Sequence, residues 1–93
     1  MGIKLLAVAL LFPATAFAEE VGINYPGSDY KNFNANSWEE CHKACSSDGL
    51  KCKIWTYVRA GVQGPTGRCW LKNAEPRGVR DPNCVSGEGP KTF

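Results

Sequence analysis

The fold of this chain is decided by residues 37–72, SWEECHKACSSDGLKCKIWTYVRAGVQGPTGRCWLK, which hold four of its five cysteines. Such a density of cysteines is typical of small exported domains that are stabilised by disulfide bonds. The whole chain has 93 residues. A domain of this size or smaller buries only about 60% of its unfolded surface, so its stability is marginal without cross-links or a metal. We therefore expect Cys41, Cys45, Cys52 and Cys69 to have a structural role.

The N-terminus has the composition of an export signal. Lys4 precedes an apolar run at residues 5–12, and residues 16–18, Ala-Phe-Ala, are typical of a cleavage site. We predict a signal peptide at residues 1–18 and a single mature domain at residues 19–93. The apolar run is too short to span a bilayer, so we expect a secreted or periplasmic protein with no transmembrane segment in the mature chain.

Charge is nearly balanced overall but is unevenly distributed. Without Lys4 the chain carries ten basic and nine acidic side chains, which gives no reason to expect a nucleic-acid partner. Residues 19–50 have a net charge of −4, whereas residues 51–93 have a net charge of +5. This polarity would suit an anionic ligand on the C-terminal half, although a solvated surface of salt bridges is the more common explanation.

Local patterns predict one helix and several strands. Ser37 and Glu40 form the S-x-x-E capping box, so a helix should begin there, run to about Ser47 and end at Gly49. The tail from Ala74 is rich in Pro and Gly and is expected to hold at most a short strand near residue 85. The remaining extended segments are predicted at residues 21–25, 30–33, 52–58 and 68–72.

The predicted helix restricts how the cysteines can pair. Cys41 and Cys45 are four residues apart, which places their Cβ atoms about 5–6 Å apart, too far for a disulfide. Five cysteines still allow about 15 two-bridge arrangements. The direction of the chain favours Cys45 with Cys52 and Cys41 with Cys69. From loop length alone these bridges are worth about 2.5 and 3.6 kcal/mol.

The joint spacing of these motifs resembles the PAN/apple domain family. The segments that carry the resemblance cover nearly the whole predicted mature chain: Ser37-Trp38-Glu39-Glu40-Cys41, Ala44-Cys45, Cys52, Trp55-Thr56-Tyr57-Val58, Cys69-Trp70-Leu71-Lys72 and Val85-Ser86-Gly87. The resemblance implies an α+β fold with one helix packed on a curved antiparallel β-sheet, and the same nested disulfides. It also implies binding of proteins or carbohydrates without catalysis.

Cys84 has no evident partner, because the chain lacks the early cysteine that apple domains pair with a late one. A partly buried free thiol near the C-terminal strand is the favoured interpretation. The alternative is a disulfide-linked partner.

Strand alternation gives a first hypothesis for a binding surface. If Cys52 and Cys69 face the helix, one set of side chains shares that face: Ile54, Thr56, Val58 and Leu71. A second set then points away from the helix: Lys53, Trp55, Tyr57, Arg68, Trp70 and Lys72. Aromatic side chains alternating with cations would suit sugars or anions, although a buried structural layer is the more common role. The candidate ligand-binding residues are Arg59, Trp70, Lys72, Arg77 and Arg80.

Catalytic and metal sites are not expected. A zinc site built on Cys41, His42, Cys45 and Cys52 is unfavourable because His42 points about 100° around the helix from Cys41. A nucleotide-binding glycine motif is absent from the sequence. We therefore expect a non-catalytic secreted or periplasmic binding module with no cofactor. The alternative is a small inhibitor or accessory subunit that docks onto an exported enzyme.

Overall fold

One α-helix lies across one face of a five-stranded antiparallel sheet. The computed structural model describes residues 19–92, so the predicted signal peptide lies outside the described residues. The elements are β1 (Glu20–Asn24), β2 (Asp29–Asn34), α1 (Trp38–Ser47), a 3₁₀ turn (Gly49–Lys51), β3 (Ile54–Val58), β4 (Arg68–Lys72) and β5 (Val79–Glu88). An α+β architecture with a single helix on the sheet is thus confirmed. No helix within residues 19–92 is long and apolar enough to cross a membrane.

Helix α1 has the boundaries that its sequence predicts. Ser37 is the N-cap, and its hydroxyl accepts a hydrogen bond from the backbone N–H of Glu40 at 3.2 Å. The Glu40 carboxylate accepts in turn from the backbone N–H of Asn36 at 2.9 Å. At the other end Gly49 adopts a φ of +68°, which few side chains tolerate, and the helix stops.

Two disulfide bonds join α1 to the rest of the domain. Cys41 is bonded to Cys69 on β4, and Cys45 is bonded to Cys52 just after the 3₁₀ turn, with Cα–Cα distances of 5.3 and 5.4 Å. Both bridges lie in the hydrophobic core between helix and sheet. The buried members of that core are Ala35, Cys41, Cys45, Cys52, Trp55, Cys69 and Leu71.

The sheet is strongly curved because of its strand order, β1-β5-β3-β4-β2. Strands β1 and β2 are consecutive in the chain but occupy opposite edges of the sheet. In a flat sheet these edges would lie about 19 Å apart, whereas the chain from Asn24 to Asp29 reaches at most about 18 Å when fully extended. Positive φ angles at Gly27 and Ser28 shorten that connection further. The edges must therefore curl towards each other.

Strand β5 differs from the expectation of a short strand near Val85, since it has ten residues and lies between β1 and β3. The Pro and Gly content of this tail was misleading. Pro82 falls where the register with β1 shifts, between the pairs Val21–Val85 and Ile23–Arg80. A proline at such a bulge removes no ladder hydrogen bond, so a central strand accommodates it.

The predicted facing of β3 is wrong. Trp55 pairs with Leu71, and Tyr57 pairs with Cys69. Directly opposed residues of antiparallel strands point to the same face, so both aromatic side chains face the helix. The prediction took the direction of the Cys52 side chain as its reference. Cys52 lies before β3, so its side chain does not follow the alternation of that strand. On β4 the predicted facing agrees with the structure.

Candidate functional site

The helix side of the sheet is filled by a stack of rings. Trp55 is only 1% exposed, and its indole lies nearly parallel to that of Trp38, with centroids 5.8 Å apart. The His42 ring covers the same indole at 5.3 Å. Gly87 lies against the Trp55 indole. A Cβ at position 87 would stand 2.6 Å from that ring, which is too close, so only glycine leaves room for the indole. Trp55 is therefore a core residue.

We call the sheet face opposite α1 the distal face. Its side chains form cross-strand rows because paired residues point the same way. Read from β2 across β4 and β3 to β5, the rows are Asp29–Lys72–Ile54–Glu88, Asn32–Trp70–Thr56–Ser86 and Asn34–Arg68–Val58–Cys84. Trp70 thus lies in the middle row, between Arg68 and Lys72 on its own strand.

The floor of the distal face is buried and fully hydrogen-bonded. The hydroxyls of Thr56 and Ser86 are 2.7 Å apart, and Ser86 also donates to the backbone carbonyl of Ile23 at 2.7 Å. Thr56 and Ser86 are at most 1% exposed. These bonds tie β3, β5 and β1 together, so the surface above the floor has a fixed shape.

A half-open cavity of about 250 Å³, which we call the turn cavity, lies beside the connection between β1 and β2. Its lining residues are Asn24, Pro26, Gly27, Asp29, Val58, Val62, Gln63, Trp70, Lys72, Asp81 and Cys84. Lys72 is only 2% exposed, and its ammonium donates to the Asp29 carboxylate at 2.6 Å and to the Gly27 carbonyl at 3.3 Å. An ammonium has three donors, so one remains for a ligand.

A second cavity, of about 390 Å³, lies on the other side of Trp70 and is called the loop cavity. Its lining residues are Asn32, Asn34, Gln63, Gly64, Pro65, Thr66, Arg68 and Trp70. The Arg68 guanidinium donates from Nε to the Asn32 side-chain carbonyl at 3.0 Å and from Nη1 to that of Asn34 at 2.7 Å. A second bond to Asn32 comes from Nη2. Arg68 is thereby held rigidly against β2.

Trp70 joins the two cavities. Its half-buried indole lines both of them, as does Gln63 from the loop between β3 and β4. The indole N–H donates to the Gln63 side-chain carbonyl at 2.9 Å. The distal face is therefore a single groove with an aromatic ring at its centre.

Of the residues proposed from the sequence, only Trp70 and Lys72 are brought together. Arg59 is exposed and its Nε donates to the Asn83 side chain at 2.9 Å, outside both cavities. Arg77 lies exposed between β4 and β5, and Arg80 borders a separate cavity beside β1. Strand alternation correctly places Arg68 on this face but does not single it out as a ligand-binding residue. The residues that sequence reasoning missed are Asp29, Asn32, Asn34, Gln63 and Asp81. The alternation Asp-Tyr-Lys-Asn-Phe-Asn in β2 was the one available signal.

Cys84 is a free thiol in the floor of the turn cavity, and it is 3% exposed. Burial, together with the neighbouring Asp81 carboxylate, raises the pKa of the thiol to about 12. A thiol that stays protonated reacts slowly with disulfides, so this placement disfavours a disulfide-linked partner. The four other cysteines are consumed by disulfides, and no group of three or more potential metal ligands occurs within residues 19–92.

The family model of the PAN domain matches residues 23–72, just over half of the chain. The chain belongs to the PAN domain family. The match extends from β1 to the last residue of β4, and it includes both disulfides, Trp70 and Lys72. No curated protein shows significant similarity to the chain. PAN domains are non-catalytic modules that generally mediate interactions with proteins or carbohydrates.

Proposed function

We propose that this PAN domain is an exported, non-catalytic module that binds carbohydrate through the distal face, with Trp70 as the platform for a sugar ring. One observation carries the proposal. The half-buried indole of Trp70 forms the shared wall of two cavities whose other walls are rich in hydrogen-bonding side chains. An aromatic ring surrounded by a few convergent polar groups is the usual composition of a site for a small polar ligand.

The chemistry of the groove suits a sugar. The C–H face of a pyranose is apolar and packs on an indole, while each hydroxyl both donates and accepts a hydrogen bond. The turn cavity offers the carboxylates of Asp29 and Asp81, the amide of Asn24 and the ammonium of Lys72. These groups together supply acceptors and donors within one cavity of fixed shape.

The arrangement also supports binding without chemistry. The chain has one histidine, His42, and its ring lies on the helix side, stacked on Trp55. In the groove, Asp29 is held in an ion pair with Lys72. That carboxylate is therefore already occupied by a contact within the protein.

The proposal includes export of the chain. Residues 1–18 are then the signal peptide, and residues 19–93 form the single domain. Two disulfides are maintained readily in an oxidising compartment, which supports export.

A glycan array followed by calorimetric titration tests the proposal. We expect saturable binding of at least one glycan, weakened at least about tenfold by Trp70→Ala, because the stacking surface is lost. Trp38→Ala is the matched control, since it removes an indole from the helix side. Near-UV circular dichroism verifies that each variant is folded.

Binding that survives Trp70→Ala, or the absence of any bound glycan, would contradict the proposal. Recovery of one exported enzyme as a stoichiometric partner of a chain that binds no glycan would favour the accessory-subunit alternative instead. Because Cys84 is buried, such a partner is expected to dock without a covalent link.

A further inference from the structure

We infer that the groove consists of two subsites of opposite charge, and that its preferred ligand is an acidic oligosaccharide. In this arrangement a neutral ring occupies the turn cavity and a ring bearing a carboxylate or sulfate occupies the loop cavity. The inference rests on the proposed carbohydrate binding and adds the class of sugar to it.

Arg68 is the group that would receive the anion. Its guanidinium has five N–H donors, of which three are engaged by the carbonyl oxygens of Asn32 and Asn34. One N–H on each terminal nitrogen is left for a ligand. Donors on the terminal nitrogens of a guanidinium suit the oxygens of a carboxylate or sulfate.

The partners of Arg68 leave its charge uncompensated. Asparagine carbonyls orient the guanidinium as aspartates would, but they carry no negative charge. Within residues 19–92 no carboxylate lies within 4 Å of the Arg68 nitrogens, in contrast to Lys72, which is paired with Asp29. The described lining of the loop cavity contains one cation and no acid. An anionic ring therefore finds an attractive potential there.

The turn cavity has the opposite sign. Its lining contains the carboxylates of Asp29 and Asp81 and the single ammonium of Lys72. A second anion placed there would be repelled by a cavity with an excess of one negative charge. Hydroxyl groups meet no such penalty, since they donate to carboxylates and accept from the ammonium. The turn cavity thus favours a neutral ring.

The two subsites lie close enough for one chain of sugars. On β4, Arg68 comes two residues before Trp70 and Lys72 two residues after it. Each therefore lies about 7 Å along the strand from Trp70. Trp70 and Gln63 border both cavities, so the two cavities are neighbours. Linked rings can therefore occupy both cavities while one of them stacks on Trp70.

Isothermal titration with three related disaccharides tests this inference. The probes are a neutral disaccharide, its uronic acid counterpart and its sulfated counterpart. We expect the acidic probes to bind the unmodified protein about tenfold more tightly than the neutral one, with the difference shrinking at high salt. Comparison of the two acidic probes identifies which anionic group the site prefers.

In Arg68→Gln the ratio of acidic to neutral affinity should fall to about one, because the uncompensated charge is gone. Arg77→Gln is the matched control: it removes an exposed arginine outside both cavities and should leave all three affinities unchanged. Equal affinities for neutral and acidic probes in the unmodified protein, or a preference that persists in Arg68→Gln, would overturn the inference.

The failure of this inference is distinguishable from failure of the proposed function. If all three probes bind equally and lose affinity in Trp70→Ala, carbohydrate binding stands and the charged subsites do not. If none of the probes binds and no glycan on the array is retained, the proposed function itself has failed.

Discussion

Trp55 and Trp70 lie on neighbouring strands of one sheet, yet they have opposite environments. Trp55 faces α1, is 1% exposed and is stacked against Trp38 and His42. Trp70 faces the other way, is half-buried and lines two cavities. The residue type is the same. What differs is the register, which assigns one indole to the core and the other to the groove.

The two faces also handle polar groups differently. On the helix side, the core is apolar and cross-linked by two disulfides. On the distal face, the buried residues include Thr56, Lys72 and Ser86. Burying an ammonium is unfavourable unless it is paired, so a distal face built only for stability would hold a hydrophobic residue at position 72. Lys72 also lines the turn cavity and keeps one donor free, which fits the proposed ligand binding.

The largest difference in stability between the two faces is expected when each of the two tryptophans is replaced by alanine. Trp55→Ala removes a fully buried indole and is expected to reduce the free energy of unfolding by about 3–5 kcal/mol. Trp70→Ala removes a partly solvated ring and is expected to cost less than about 2 kcal/mol. Urea denaturation of both variants measures the difference. Equal losses would show that the two indoles are not divided between core and groove.

The two disulfides should differ in the same kind of experiment. The Cys41–Cys69 bridge closes the longer loop, so replacing both residues by alanine should cost about 3.6 kcal/mol, against about 2.5 for the Cys45–Cys52 pair. Denaturation midpoints of the two double variants test the ranking. A smaller loss for the Cys41–Cys69 pair would mean that the helix is held mainly by packing of Trp38 and Trp55.

Much of the helix side could be predicted from the sequence, because its signals are local. The capping residues Ser37 and Glu40 and the terminating Gly49 lie within one short segment. The helix that they define fixes the distance between Cys41 and Cys45 and so restricts how the cysteines pair. The facing of β3 and the length of β5 could not be predicted. Both depend on details that break the strand pattern, namely the position of Cys52 before β3 and the bulge that accommodates Pro82.

The candidate site was only partly predictable for a different reason. Trp70 stood out as a large aromatic residue on a strand. Asn32 and Arg68, in contrast, become a unit only when β2 pairs with β4, a contact between segments that lie 36 residues apart. The turn cavity is likewise lined by residues that range from Asn24 to Cys84. Such non-local juxtapositions leave no local pattern in the sequence.

The Lys72–Asp29 pair allows a sharper test on the distal face alone. Asp29→Ala leaves a buried ammonium without its carboxylate and should cost about 2–3 kcal/mol, less than for a fully buried pair because Asp29 is partly exposed. Lys72→Met replaces the ammonium by an apolar group of similar length and should change stability by less than about 1 kcal/mol.

Glycan titration of the same two variants completes that test. Lys72→Met should weaken glycan binding although the protein remains stable, because a ligand donor is lost. Unchanged affinity in this variant would assign the ion pair a purely structural role.

The smallest expected effect is a pH dependence on the helix side. Hydrogen bonds from Tyr30 and then from Lys31 hold the pKa of Asp48 below its usual value. The stabilisation is therefore fully present above the unfolded-state pKa and is lost as the pH falls through the folded-state pKa. Unfolding followed from pH 6 to pH 2 should show a shallower loss of stability in Asp48→Asn. Identical profiles would mean that ionised Asp48 does not stabilise the fold.

The most direct test of the division between core and groove uses the three tryptophan indoles, which give separate Nε1–H signals in a nitrogen–proton NMR spectrum. The protein is titrated with the uronic acid disaccharide. The account predicts that the Trp70 signal shifts progressively and saturably, while the signals of Trp38 and Trp55 stay in place. A saturable shift of Trp38 with an unmoved Trp70 would contradict it.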